Sequence, residues 1–571
     1  MNTAALRRYA PAARKDFLRA VTDRAAKVGL SEGKPAVPVT VQGLDAILDG
    51  KPYPRAFAAQ RRRLEESIAK KGFRVVMEEA AYTWFNRLMA IRYMEVHGYL
   101  DHGFRVLSHP EGKPTPQALE QAQNVVLPGL NRQRVIDLKL DGTKDEELYR
   151  MLLLAQCRAL HQAMPFLFES IDDATELLVP DHLLASDSLV RKMVAEIPES
   201  DWQEIEVVGW LYQFYISEEK ARVDASVKGG KAVAPEDIPA KTQLFTPKWI
   251  VRYMLQNSLG RLWLDIEPNS PLKEGWEYWV EPAEQEPEVR AELERLAAET
   301  RAKHPTPETI TFIDPCAGSG HILVEAYDLL KSFYEERGYA RREIPRLILE
   351  KNLFGLEIDD RAAQMAGFAL LMRARADDRS ILTTPPSLNV LVLQSSEGID
   401  PEAVASALEG GDAPLDSVFA PTSLMPDLDR QPTLTAIRRR PDASLRTLVG
   451  DLLDLFEAAK TFGSLIRVPA PVASRLPELV ERIESAPQDL LSRENLSEFS
   501  SLVRQAEILA RRMDVAVTNP PYLEASKVGK ELQDWAKKAY PVAKADLWAM
   551  FIERCRLSSS GYFALVTMHA W

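Results

Sequence analysis

The stretch TFIDPCAGSGHILVEAYDLLKSFYEE, residues 311–336, decides the fold that we predict for this chain. A short apolar run leads into a turn of small residues, and a segment with apolar positions at helical spacing follows. Two further apolar runs, NLFGLEI (352–358) and LNVLVLQ (388–394), flank a helical run at 360–376. This alternation predicts an α/β fold built on a Rossmann-like, doubly wound parallel sheet.

The rest of the chain divides around this sheet. Helical periodicity dominates the first 240 residues, and a Pro-rich segment with helical runs later interrupts the strands. The apolar strand in DVAVTNPPY (514–522) then resumes the sheet. We therefore predict a large N-terminal helical domain (1–240), a first part of the α/β domain (241–397), a helical insertion (398–511) and an incomplete second part (512–571).

Composition limits the class of protein. The chain has 571 residues, of which 46% are hydrophobic and 27% charged, as in ordinary globular proteins. Its formal net charge of −12 means that any nucleic-acid contact must come from local basic patches. Cys157, Cys316 and Cys555 are too far apart for a disulfide framework or a zinc site, so we predict no metal. Because the sequence has neither a signal peptide nor a long apolar span, we predict a soluble, cytoplasmic protein.

The turn DPCAGSG (314–320) is the first candidate site. Small residues let backbone N–H groups and a bound cofactor approach closely, and the N-terminus of the following helix favours anionic groups. Asp314 ends the strand, where its carboxylate can hold an ammonium group or a hydroxyl. Many tight strand–helix turns are purely structural, but the surrounding motifs favour cofactor binding.

GLEID (355–359), at the end of the next strand, is the second candidate site. In Rossmann-type sheets an acidic residue about 20 or more residues beyond the glycines binds ribose hydroxyls. Glu357 lies 37 residues beyond Gly320, a distance that the long intervening helix allows. An exposed charge at a strand end is the alternative, and this motif alone does not decide between them.

NPPY (519–522), directly after an apolar strand, is the most informative stretch. Two prolines stiffen the loop and remove N–H donors, so backbone carbonyls project from it. The Asn519 side-chain oxygen and the Pro520 carbonyl can both accept hydrogen bonds from one amino group, while Tyr522 offers a flat face to a planar base. This pattern suits methyl transfer to an exocyclic amine by positioning rather than by proton removal. A plain Asn-Pro turn is the alternative.

These three sites should meet in one crevice. Ligands of open parallel sheets bind beyond the carboxyl ends of the strands. If the strand before NPPY pairs with the strand before DPCAGSG, a bound cofactor and the amine acceptors face each other.

In this order, with LFTPKWIVRYML (244–255) upstream, the motifs resemble the gamma-class DNA adenine-N6 methyltransferases. The resemblance implies S-adenosyl-L-methionine as cofactor, double-stranded DNA as substrate and a flipped adenine as methyl acceptor. Thr246 would lie near the methionine carboxylate, Asp314 and the following turn around the methionine moiety, Glu357 on the ribose hydroxyls, and Ile358 against the adenine ring. The implied cofactor-binding residues are Phe245, Thr246, Asp314, Cys316, Ala317, Gly318, Ser319, Gly320, Glu357 and Ile358, and the implied catalytic residues are Asn519, Pro520, Pro521 and Tyr522.

EVVGWLYQFYISEEK (206–220), the segment 243–264 and the opening RRYAPAARKDFLRAVTDRAA (7–26) resemble more specifically the PglX family of BREX phage-defence methyltransferases. This resemblance implies a role in phage defence, with a PglZ-type phosphatase and a BrxC-type ATPase as partners. It also implies seven strands and a DNA target-recognition domain, so YFALVTMHAW (562–571) would be only the fifth strand. We therefore expect a C-terminally truncated chain that binds cofactor but methylates DNA poorly.

Several features lie outside the motifs. Relatives carry an acidic residue after the third strand for the cofactor's adenine amino group, whereas this chain offers only Gln394, Ser395, Ser396 or Glu397.

The polar stretch 227–243 predicts a mobile linker or flap. Basic clusters that could contact DNA phosphates are Arg61, Arg62 and Arg63; Lys70 and Lys71; Arg438, Arg439 and Arg440; and, favoured because they follow NPPY, Lys527, Lys530, Lys537 and Lys538.

Two other functions stay open. A protein glutamine-N5 methyltransferase uses the same NPPY chemistry, although such enzymes are typically compact and lack a long helical leader. A non-catalytic S-adenosylmethionine-binding scaffold of a defence complex is the second. Glu218, Glu219 and Lys220 have the spacing of a nuclease metal site, but the charged end of an amphipathic helix explains them better.

Overall fold

The structure is a computed structural model that describes residues 3–168, 174–409, 443–486 and 490–568. The arginines at 438–440, predicted as a basic cluster, lie outside these residues. No helix among the described residues combines the length and the apolar character needed to cross a bilayer.

Helices make up most of the first 303 residues. In chain order they are α1 (Thr3–Lys27), α2 (Ala56–Lys71), α3 (Phe73–Val96), α4 (Gln117–Glu120), α5 (Arg132–Asp141), α6 (Asp145–His161), α7 (Leu189–Glu196), α8 (Glu206–Tyr215), α9 (Ser217–Lys228), α10 (Ile238–Thr242), α11 (Lys248–Gln256), α12 (Leu259–Ile266) and α13 (Pro287–Lys303). Apolar residues at helical spacing account for this part, as the sequence predicts.

The helical spacing of apolar residues in this part of the chain does not predict the small antiparallel sheet that interrupts these helices. It consists of β1 (Val39–Gln42), β2 (Asp45–Leu48) and β3 (Lys51–Pro54). Asp49 and Gly50 connect β2 to β3 with φ values of 50° and 73°. Asp-Gly with positive φ at both residues is a strong hairpin signal, so the sequence did contain the information.

Among the described residues, five parallel strands form the main sheet in the order β6-β5-β4-β7-β8. They are β4 (Phe312–Asp314), β5 (Leu353–Glu357), β6 (Asn389–Val392), β7 (Met513–Thr518) and β8 (Ser559–Leu565). The predicted Rossmann-like fold is confirmed. β4 pairs with both β5 and β7, so the strands that lead into DPCAGSG and NPPY are neighbours.

The helices between and after these strands complete the α/β unit. They are α14 (His321–Glu336), α15 (Ile344–Leu347), α16 (Asp360–Asp377), α17 (Pro401–Leu408), α18 (Ala443–Phe456), α19 (Ala459–Phe462), α20 (Ala470–Ala473), α21 (Leu476–Ser485), α22 (Leu490–Ala510), α23 (Lys530–Ala539) and α24 (Leu547–Ser558). α14 and α16 begin close to where the sequence predicts them, directly after the two motif-bearing turns.

The two faces of the sheet pack against different parts of the chain because side chains alternate along each strand. Phe312 and Val515 face a core shared with the N-terminal helices, α14 and α16. Ile313 and Ala516 face a second core, which α17, α18, α21 and α22 complete. The N-terminal helices and the described part of residues 398–511 therefore lie on opposite faces of the main sheet. The exact domain boundaries stay a prediction.

Burial corrects one expectation about basic residues. Arg61, predicted as part of a phosphate-binding cluster, is only 1% exposed. Its guanidinium donates hydrogen bonds to the carbonyl oxygens of Val28 and Gly29 and pairs with Glu65. Arg61 therefore fixes α2 against the end of α1 and is inaccessible to DNA.

Candidate active site

A cavity opens at the carboxyl ends of the central strands. In open α/β sheets, ligands bind at this position. Its walls come from segments far apart in the sequence, namely 238–244, 315–318, 357–358, 461–465 and 519–521, together with Leu393, Leu547 and Phe551.

The structure brings the predicted site residues together around this cavity. Those that line it are Cys316, Gly318, Glu357, Ile358, Asn519 and Pro521. Most of the others are chain neighbours of lining residues or contact them: Phe245, Thr246, Asp314, Ala317, Ser319, Pro520 and Tyr522. Gly320 lies two residues beyond Gly318, against Ala366 of α16.

Asp314 is fully buried at the end of β4. Its Oδ1 accepts hydrogen bonds from the Cys316 backbone N–H at 3.0 Å and from the Thr518 hydroxyl at 2.7 Å. Its Oδ2 is buried and has no hydrogen-bond partner among the described residues. Burial raises the pKa of Asp314 to about 7. A buried carboxylate oxygen without a partner is a suitable acceptor for an ammonium group of a ligand.

Glu357 joins the end of β5 to the glycine turn. Its Oε2 accepts from the Gly318 N–H at 2.7 Å, and its Oε1 accepts from the N–H groups of Ile358 and Asp359 at 2.9 and 3.0 Å. Burial raises the pKa of Glu357 to about 7, against the opposing effect of these N–H groups. Because a carboxylate oxygen can accept two hydrogen bonds, Oε2 can still accept one from a ligand hydroxyl.

The raised pKa values of Asp314 and Glu357 predict how the stability of the folded chain depends on pH. Both have a pKa near 7 in the folded chain but about 4 in the unfolded chain, so the folded chain binds more protons between these pH values. We therefore expect the Tm to fall as the pH rises from about 5 to about 8, and Asp314→Asn to remove about half of that slope. Calorimetry on both chains measures this, and a Tm that rises with pH in the unsubstituted chain contradicts it.

The Asn519 side chain is held in one orientation. Its Nδ2 donates to the Thr246 hydroxyl at 3.0 Å and to the Leu244 carbonyl at 3.4 Å. Its Oδ1 accepts from the Tyr522 hydroxyl at 2.6 Å, and that hydroxyl also lies 2.9 Å from the Val566 carbonyl. The Thr246 hydroxyl therefore contacts the NPPY amide directly.

Helix α8 supports both the Phe-Thr-Pro segment and the glycine turn. The ring of Phe245 lies 4.4 Å from those of Trp210 and His321, and its N–H donates to Gln213 Oε1 at 3.0 Å. At Gly209, a Cβ would lie 2.6 Å from Phe245 Cε2 and 2.8 Å from Ser319 Oγ. Gly209 thus allows the close approach that brings these two parts of the site together. Residues 206–220, which include α8, carry part of the family resemblance, but this role of α8 was not predicted from the sequence.

We expect Gly209→Ala to weaken cofactor binding at least about tenfold, because the added methyl group must displace Phe245 or Ser319. Titration calorimetry with S-adenosylhomocysteine measures the affinity. Gly450→Ala is the matched control, since Gly450 also lies within a helix and no atom lies within 4 Å of its Cβ position. Equal affinities in the two variants would contradict this role of Gly209.

Residues 351–571 match the family of the Eco57I restriction-modification methylase. The chain is 47% identical over 588 residues to the adenine-specific methyltransferase BrxX of Escherichia coli O9:H4 (strain HS), covering 100% of this chain and 47% of that protein. It is 34% identical over 529 residues to the adenine-specific methyltransferase PglX of Lacticaseibacillus casei (strain Zhang), covering 87% and 40% of the two proteins.

Both relatives are named adenine-specific methyltransferases, and the chain aligns with them over most or all of its own length. The predicted resemblance is thereby confirmed, and the chain spans less than half the length of these two curated relatives. A solved chain described as a cryoEM structure of the DrdV-DNA complex aligns with 99% of this chain and 35% of its own length, at 11% identity and a TM-score of 0.36.

The residues predicted to hold the amino group of the cofactor's adenine do not line the cavity. Gln394 donates to Asp360, while the hydroxyls of Ser395 and Ser396 donate to the carbonyls of Glu457 and Leu453. Glu397, the fourth candidate, is exposed. Residues 461–465 line the cavity instead, and the sequence analysis did not single them out.

The stretch 227–243, predicted as a linker or flap, contacts the segment that carries the lysines after NPPY. α10 lines the cavity, and the Val233 N–H donates to the Lys527 carbonyl at 2.7 Å. Residues 238–243, the last part of the stretch predicted as a linker or flap, therefore form a wall of the cavity. Lys527 and Lys537 form ion pairs with Glu524 and Asp534 on their own segment.

The residues of the alternative nuclease motif lie in the first turn of α9, not at the end of an amphipathic helix as predicted, because α8 already ends at Tyr215. Glu218 pairs with Lys15, Glu219 pairs with Arg14, and Lys220 donates to the Gln243 carbonyl at 2.7 Å. Within the described ranges, no group of three or more His, Cys, Asp or Glu side chains is arranged to hold a metal ion.

Proposed function

We propose that this chain carries the cofactor-binding and methyl-transfer part of a site-specific DNA adenine-N6 methyltransferase. The main observation in support of this proposal is that Asn519 and Pro521 line the same cavity as Gly318 and Glu357. The names of the two relatives, both adenine-specific methyltransferases, support the same reaction.

The residues around the cavity fit S-adenosyl-L-methionine. The unpartnered Asp314 Oδ2 would accept from its ammonium group, Glu357 Oε2 from a ribose hydroxyl, and the Ile358 side chain would pack on its adenine ring. When bound, this cofactor supplies a methyl group on a positively charged sulfur. Phe245 and Thr246 would close the methionine end, and the carboxylates favour a cation there.

The chain's own contribution is to hold the acceptor nitrogen. Asn519 Oδ1 and the Pro520 carbonyl would accept the two N–H bonds of the adenine amine, which directs its lone pair toward the methyl group. Asn519 Oδ1 becomes available when the Tyr522 hydroxyl donates to the Val566 carbonyl instead. The Tyr522 ring would then stack on the flipped base, offsetting an unstacking cost of about a few kcal/mol. The proton leaves the nitrogen after attack, so no strong base is required.

The wider role is proposed from the resemblance to the same relatives. We propose action on double-stranded DNA in BREX-type phage defence in the cytoplasm, with a PglZ-type phosphatase and a BrxC-type ATPase as partners. The net charge of −12 means that local basic segments must contact the phosphates. Residues 527–538, directly after NPPY, are the proposed segment.

Transfer of a tritiated methyl group tests the function, with double-stranded DNA and total protein offered as acceptors. We expect label in DNA at a low level, released as N6-methyladenine on digestion, and none with Asn519→Ala. Label in protein would instead support a glutamine-N5 methyltransferase. Cofactor binding without label in either acceptor would support a non-catalytic scaffold.

A further inference from the structure

We propose that residues 460–465 form the adenine-end wall of the cavity and that the Thr461 hydroxyl binds the exocyclic amine of the cofactor's adenine. This inference rests on the proposed use of an S-adenosyl cofactor. It assigns the contact to a segment between β6 and β7 rather than to the residues directly after β6.

The segment lies against the residue proposed to pack on the adenine ring. Lys460 Nζ donates to the Ile358 carbonyl at 2.9 Å. At Gly463, a Cβ would lie 3.1 Å from Ile358 Cγ2, and the backbone there has a φ of +57° that favours glycine. Thr461 and Phe462 line the cavity beside Ile358. The wall and the ring-packing residue therefore belong to the same end of the cavity.

Hydrogen bonds from other elements hold this wall in place. Ser464 donates through its hydroxyl to the Pro315 carbonyl, next to the glycine turn. The carbonyls of Ser464 and Leu465 accept from the buried Arg554 Nε at 2.8 Å and from the Tyr540 hydroxyl at 2.6 Å. These contacts preorganise the wall for a ligand.

An aromatic stack fixes the middle of the wall. The Phe462 ring lies 4.3 Å from that of Trp535 on α23, with an angle of 8° between the planes. α23 begins eight residues after NPPY, so the wall is braced by the segment that follows the proposed catalytic loop.

Thr461 provides the polar group at this end. Its hydroxyl makes no hydrogen bond to any other described residue, although Thr461 lines the cavity. A hydroxyl can accept a hydrogen bond from an amine. Of the alternatives after β6, the side chains of Gln394, Ser395 and Ser396 are bonded elsewhere.

Titration calorimetry with two ligands tests the proposal on the 571-residue chain. The ligands are S-adenosylhomocysteine and its 6-deamino analogue, in which hydrogen replaces the exocyclic amine. We expect the unsubstituted chain to prefer S-adenosylhomocysteine about tenfold, the value of one hydrogen bond of about 1.4 kcal/mol. Thr461→Val should abolish this preference, and Thr461→Ser should keep it.

Thr447→Val is the matched control, because the Thr447 hydroxyl is exposed and donates to the Ala443 carbonyl within α18. This variant should keep the preference. An unsubstituted chain that binds neither ligand overturns both this inference and the proposed function. A chain that binds, but whose preference survives Thr461→Val or disappears in Glu397→Gln, overturns only the assignment to Thr461.

Discussion

Asn519→Ala is expected to slow methyl transfer to DNA at least about 100-fold while changing cofactor affinity by less than about threefold. The reason is that the Asn519 amide is proposed to hold the acceptor nitrogen, whereas the cofactor's polar groups are assigned to Asp314, Glu357 and Thr461. The Thr246 hydroxyl and the Leu244 carbonyl fix the amide before any substrate arrives, so its loss removes a preorganised acceptor rather than a mobile one. Single-turnover rates at saturating cofactor measure the first quantity, and calorimetry measures the second.

Asn519→Asp separates the two functions of this side chain. Aspartate keeps an acceptor oxygen but has no N–H to donate to the Thr246 hydroxyl and the Leu244 carbonyl. We expect it to retain more activity than alanine. If alanine and the unsubstituted chain transfer methyl groups at similar rates, or if alanine loses cofactor and activity equally, Asn519 is not the positioning group.

Gly320→Ala is expected to destabilise the fold by about 3 kcal/mol or more. Gly320 has a φ of +82°, and a Cβ there would lie 2.8 Å from both Cα and Cβ of Ala366 in α16. Because the nearest atoms belong to the backbone of a buried helix and its first side-chain carbon, they cannot rotate away. The turn would have to move away from α16, which also moves the cofactor cavity.

Gly318→Ala is the matched control for this effect. Gly318 also has a positive φ, +53°, but the nearest atom to its Cβ position is Gln243 Nε2 at 3.8 Å. Only backbone strain of about 1–2 kcal/mol is therefore expected there. Urea unfolding of the two variants compares them, and equal losses in unfolding free energy would show that the contact with Ala366 does not matter.

Local patterns in the sequence were enough to predict the sheet and the position of the motifs. The strands before DPCAGSG, GLEID and NPPY are short apolar runs next to strong turn signals, and parallel pairing places their ends together. The functional contacts that were missed depend on packing between distant segments. Gly209 has its role only because α8 lies against Phe245, and Thr461 only because its segment is held beside Ile358.

Arg61 shows the same limit for charged residues. A run of three arginines predicts a solvated face or a phosphate contact, and nothing local distinguishes the first from the other two. Its burial depends on the carbonyls at the end of α1, which lie more than 30 residues earlier. The hairpin at 39–54 is different, because its Asp-Gly turn was a local signal that helical periodicity outweighed.

The position of β4 between β5 and β7 has a consequence for the newly made chain. Thr311, just before β4, bonds to Asp514 in β7, 203 residues later. At a synthesis rate of about 5–20 residues per second, roughly 10–40 s pass before the second neighbour of β4 exists. During that time the ribosome-bound chain presents an unpaired, apolar strand edge and no complete cavity. An unpaired strand edge is a template for pairing with other chains, so we expect this interval to be when the nascent protein is most prone to aggregate.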